Sequence, residues 1–159
     1  MNAPVSFRGA APVGHMAELG PVEAGAILYL RLWSDGPDSQ TQVWNDFATA
    51  LGPVHGRRVL KSFEELCALC ARHGRRPLMR HNVSCNCVGA DESCFANFIG
   101  YASEGAREDA MLIAINIVRP DIAGTLVGLA EDFGFALKRM GLKADRLAQQ
   151  QPRRHTTYH

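Results

Sequence analysis

Apolar side chains recur at spacings of three and four along most of this chain, and no run alternates in twos for long. The clearest stripe is Ile122, Leu126, Leu129, Phe133, Leu137 and Met140, which keeps helical phase over about five turns. β-branched residues are sparse outside Ile113–Val118. The pattern predicts an all-α fold, a compact bundle of about six helices. At 159 residues the chain fits one such domain. The longest apolar stretch, Ala110 to Val118, is broken by Asn116 and is far shorter than the roughly 20 residues of a membrane span.

Punctuation places the helices. The tetrapeptide Leu-Gly-Pro-Val occurs at Leu19–Val22 and again at Leu51–Val54. In each, glycine suits a left-handed residue after a helix and proline suits the first turn of the next. The predicted helices are Pro21–Trp33, Asp38–Leu51, Pro53–His73, Asp91–Ser103, Arg107–Val118 and Pro120–Met140. Asp38 and Asp91 are the expected N-caps. Gly74 is expected to stop the third helix, and Arg107–Val118, apolar nearly all round, to be the central buried one. Residues 1–20 are rich in Ala, Pro and Gly and read as a flexible arm with a short turn at His15–Leu19. Residues 21–142 form the helical domain, and residues 143–159 a basic, flexible tail.

The formal charge of +1 conceals a separation. One basic cluster runs from Arg57 to Arg80, and another from Lys138 through Arg153 and Arg154, so the remainder is acidic. Either cluster could contact an acidic partner or nucleic acid, although a solvated face and a solubilising tail explain them equally well. The N-terminus lacks the apolar core of a signal peptide, which points to a cytoplasmic, reducing compartment. There the five cysteines are expected as thiols or metal ligands.

Those cysteines divide into two groups. Cys67 and Cys70 have C-x2-C spacing, but they lie deep in a predicted helix without a glycine knuckle, so they read as core. His73, in the last turn of that helix, reads as a favourable terminal cation. Cys85, Cys87 and Cys94 surround a long connection, residues 75–90, that also holds His81 and leads to Asp91 and Glu92. The spacing H-x3-C-x-C-x6-C offers soft donors that suit zinc, with His81, Cys85, Cys87, and Cys94 or Asp91 as ligands. The same residues suit thiol chemistry, with Cys85 or Cys87 as nucleophile, the other as resolving thiol and His81 as base. Plain packing is the third account, and it is hard to apply to two cysteines one residue apart in a polar loop. No phosphate loop, dinucleotide fingerprint or Ser/His/Asp order is present.

The run Arg75-Arg76-Pro77-Leu78-Met79-Arg80-His81, then Cys85-x-Cys87-x-Gly89-x-Asp91-Glu92, Phe95 and Glu108-Asp109-Ala110, resembles a group of uncharacterised bacterial all-helical proteins. The resemblance spans Gly74 to Met140 and implies that the His81/Cys85/Cys87/Asp91-Glu92 block acts as a unit. It brings no activity. Self-association as a homo-oligomer is compatible with each of these functions, because small helical bundles often dimerise.

Overall fold

The computed structural model describes residues 8–150. Residues 1–7 and 151–159 lie outside it, and with them Arg153, Arg154 and the end of the expected tail. Among the described residues are six helices: α1 (Pro21–Ser34), α2 (Pro37–Leu51), α3 (Pro53–His73), α4 (Ala90–Ser103), α5 (Arg107–Ile117) and α6 (Pro120–Gln150). The all-α bundle is as the spacing predicts. No described helix is long and apolar enough to cross a membrane.

Proline opens α1, α2 and α3, where its missing N–H costs nothing. Gly36 and Gly52, at φ 114° and 86°, supply the turns that only glycine makes without strain. Asp38 is therefore not the N-cap of α2. Gly36 holds that place, and Asp38 lies in the first turn, where a carboxylate favours the helix dipole. Gly20 is extended at φ −66° and precedes α1, so the first Leu-Gly-Pro-Val is a helix start rather than a left-handed stop. Gly74 does end α3, but in an extended conformation that bridges to Val118.

The core is built on aromatic rings. Phe63 meets Phe133 with ring centroids 4.6 Å apart, and Phe47 meets Phe63 at 6.2 Å. Tyr29 and Trp33 from α1 pack edge-on against Phe47 and Phe63. Around this cluster α4, not α5, is the central helix. Nine of the 14 residues of α4 are buried, whereas α5 buries only Ala110, Ala114 and Ile117 and exposes Leu112. Overall apolarity misleads here because Met111, Ile113 and Ile115 are only partly covered and Leu112 faces solvent. Helix α6 continues to Gln150, past the expected end at Met140. Residues 143–150 lack an apolar stripe but consist largely of good helix formers.

Residues 8–20, expected as an aperiodic arm, carry structure. β1 (Pro12–His15) pairs antiparallel with β2 (Cys87–Gly89), with a register irregularity between Pro12 and Gly14. A short 3-10 turn, Met16–Glu18, follows. Strands of three and four residues are too short for a period of two to register in sequence.

Two glycines test the packing in opposite senses. A Cβ on Gly56 would lie 2.9 Å from the Phe47 carbonyl and the Ala48 nitrogen of α2. Gly56→Ala is expected to destabilise by about 1–3 kcal/mol in urea unfolding, through overpacking. Gly128 faces open space in the middle of α6, so Gly128→Ala should stabilise by about 0.5–1 kcal/mol.

Candidate functional site

The site is built on the N-terminus of α4. A helix leaves its first N–H groups without partners, and here the segment at residues 9–11 and the helix's own Glu92 supply them. The Ala90 N–H donates to the Ala11 carbonyl at 3.0 Å, and the Asp91 N–H donates to the Gly9 carbonyl at 2.8 Å. Glu92, at the third helical position, turns back and accepts the Gly89 N–H at 3.0 Å. Gly89, not Asp91, is thus the N-cap. That frees Asp91 to point elsewhere.

Asp91 is buried and committed. Both nitrogens of the Arg76 fork donate to its two oxygens, and the Met79 N–H donates to Oδ2 at 2.8 Å. This clamp pins residues 76–79 onto α4. A Cβ on Gly9 would strike the same Asp91–Arg76 pair, so glycine is required there.

Beneath the loop lies Arg31 of α1. It is 3% exposed, and its partner Glu92 is wholly buried. Nε and Nη2 of Arg31 donate to the two Glu92 oxygens at 2.6 and 2.9 Å. Nη1 donates to the Cys85 carbonyl and Nη2 to the Cys87 carbonyl, each at 2.7 Å. One guanidinium therefore holds the helix start and both cysteine backbones. Burial alone would push the Glu92 carboxyl up, but Arg31 and the Gly89 N–H outweigh it and hold the group below its ordinary range. Sequence reasoning missed Arg31. The available signal was its place as the lone charge in the run Ala-Ile-Leu-Tyr-Leu-Arg-Leu-Trp.

The loop above presents a thiol to an imidazole. Nε2 of His81 lies 2.8 Å from the Ala10 carbonyl. A carbonyl only accepts, so Nε2 carries the proton, and in the neutral ring Nδ1 is left as the acceptor. Nδ1 stands 3.5 Å from the Cys85 sulfur. The hydrogen bond to His81 lowers the Cys85 pKa, and the Cys87 backbone and side chain act in the same direction. The bond to Cys85, then that to Ala10, raises the His81 pKa. Both shifts favour a thiolate–imidazolium pair. Gly89 permits the arrangement, since a Cβ there would lie 3.0 Å from the His81 ring.

Of the expected site residues, the structure brings His81 and Cys85 together, with Cys87 two positions on and half-buried. Cys94 lies one helical turn beyond Asp91 and packs against the core, where burial raises its pKa. Among the described residues no three His, Cys, Asp or Glu side chains gather as a metal-holding group. Cys67 and Cys70 pack in the core as expected, and burial pushes Cys70 up to about 12. His73 lies in the last turn of α3 as expected, with Nδ1 3.3 Å from Arg119 Nη2. Nor do the basic residues of 57–80 form one free face. Arg57 sits over the Trp44 ring, Arg75 donates to the Ile115 carbonyl and Arg76 holds Asp91.

No family model, curated protein or solved structure matches this chain.

Arg31→Met leaves a buried, unpaired carboxylate and should cost about 3–5 kcal/mol in chemical denaturation. The double variant Arg31→Met/Glu92→Leu removes both charges and should recover much of that loss. The sign with pH is fixed as well. Because the folded Glu92 pKa is depressed below 4.5, the pair stabilises fully above that pH, and its contribution fades as the pH falls through the folded value. Acid unfolding of the double variant should therefore be shallower than that of the parent.

Proposed function

We propose that this protein exchanges thiols with a disulfide-bearing substrate, with Cys85 as nucleophile, His81 as its base and Cys87 as the resolving thiol. The observation that carries this reading is the 3.5 Å contact between Cys85 Sγ and the one ring nitrogen of His81 left free to accept. Two further features support it. The Arg31 guanidinium anchors both cysteine carbonyls, which keeps the loop in register with the imidazole. Its positive charge favours a thiolate at Cys85.

In the exchange, Cys85 gives its proton to His81 Nδ1 and its thiolate attacks one sulfur of the substrate disulfide. The Cys85–substrate bond forms, the substrate S–S bond breaks, and the departing thiolate takes the proton from His81. Cys87 then attacks the Cys85 sulfur. The Cys85–Cys87 disulfide forms, and the second substrate sulfur leaves with the Cys87 proton. One disulfide has become two thiols, with both electrons supplied by Cys85 and Cys87. An external dithiol reverses the final oxidation.

A zinc site is the second reading, and one distance favours it. Tetrahedral zinc with ordinary Zn–N and Zn–S bonds separates those donors by about 3.5 Å, the separation seen between His81 Nδ1 and Cys85 Sγ. Cys87 is the nearest further donor, whereas Asp91 would have to leave Arg76 and Cys94 its packing.

Alkylation with iodoacetamide, followed site by site by mass spectrometry, separates the two. Under thiol exchange, Cys85 reacts fastest, keeps reacting below the ordinary thiol pH range, and slows several-fold in His81→Ala; oxidised glutathione converts the pair to an intramolecular disulfide. Under the zinc reading, untagged protein carries about one zinc per chain, and Cys85 and Cys87 react only after chelation. Metal-free protein whose Cys85 reacts no faster than Cys94 would falsify both.

A further inference from the structure

We propose that the groove between α3 and α6, remote in sequence from the thiol loop, binds a mononucleotide. The two helices run antiparallel there. Ser62 donates to Asp132 at 3.4 Å, and Lys143 reaches the Ala50 carbonyl, just before α3 begins, at 3.1 Å. A cavity of about 450 Å³ lies along this seam, within the roughly 300–1,000 Å³ range of small-molecule sites.

The two basic clusters of the sequence meet at one end of it. Counting away from the Ser62–Asp132 contact along both helices leads to His55 on α3 and Arg139 on α6, with Arg58 beside them. Among the described residues neither Arg58 nor Arg139 has an ion-pair partner. Two guanidinium groups and an imidazole lining the same end of the groove suit a phosphate, whose oxygens take paired N–H donors. In the middle of the groove, Phe135 leaves half of its surface in solvent. An exposed ring in a groove that cations also line is a stacking platform for a base. At the far end the Asp132 carboxylate accepts hydrogen bonds from base amino or imino groups. The rise of α3 from His55 to Ser62 is about 10 Å, which matches the span from the phosphate to the base edge of one nucleotide.

The acidic end selects between ligands of shared chemistry. A free phosphate leaves Phe135 and Asp132 unused. A nucleic-acid strand must carry its next phosphate past the Asp132 carboxylate.

Calorimetric titration of the full chain with AMP, UMP, inorganic phosphate, adenosine and a single-stranded oligonucleotide tests this. At least one mononucleotide should bind more tightly than phosphate or adenosine. Arg58→Gln and Arg139→Gln, both at exposed positions, should each weaken it by about tenfold or more. Phe135→Ala should weaken the mononucleotide while leaving phosphate unchanged. Circular dichroism checks that each variant keeps its helices. Absence of mononucleotide binding at millimolar concentration, unchanged affinity in both arginine variants, or binding of the oligonucleotide alone would each overturn the proposal.

Discussion

The Arg31–Glu92 pair is the interaction on which the rest of the structure depends. A charged pair sealed from water is costly to bury, and it stabilises only when every donor and acceptor is met. Here all are met. Nε and Nη2 donate to the carboxylate, and Nη1 and Nη2 donate to the Cys85 and Cys87 carbonyls. Among the described residues no buried side-chain polar atom is left without a partner. The pair ties α1 to the start of α4 and fixes a loop that apolar packing alone would leave underdetermined.

A second carboxylate completes the scaffold. Asp91 and Glu92 are neighbours on α4 that point apart, as adjacent helical residues must. Glu92 reaches inward to Arg31, and Asp91 reaches to Arg76 on the loop. The segment at residues 9–11 closes the third side through the Gly9 and Ala11 carbonyls, while the Ala10 carbonyl sets the His81 tautomer. The proposed chemistry at Cys85 thus rests on backbone atoms of residues 9–11. His81 is oriented by a carbonyl, and the Cys85 backbone by a guanidinium that Glu92 holds in place.

Much of the bundle was legible because glycine and proline mark where helices can and cannot run. Pro21, Pro53 and Pro120 open helices where the sequence places them, and the Ile122–Met140 apolar stripe of α6 faces the core. Three things were not legible. The β1–β2 pairing joins segments about 75 residues apart with strands too short to show a period. The roles of Asp91 and Gly89 depend on what approaches the helix end, and the approaching chain is the N-terminal segment. Arg31 looks from sequence like a flaw in an apolar helix, because its partner lies 61 residues away. The dense block from His81 to Cys94 was visible as unusual chemistry, but its division into a His81–Cys85 pair, a clamped Asp91 and a packed Cys94 follows from helical phase and from Arg76.

The central claim is that His81 is a base held in one tautomer against Cys85. Long-range proton–nitrogen NMR correlation of the His81 ring, followed with pH, tests it most directly. The account predicts the Nε2-protonated form for the neutral ring, with a pKa above an ordinary histidine that falls in Cys85→Ser. A neutral ring protonated at Nδ1, or a titration indifferent to the loss of the Cys85 thiol, would contradict it.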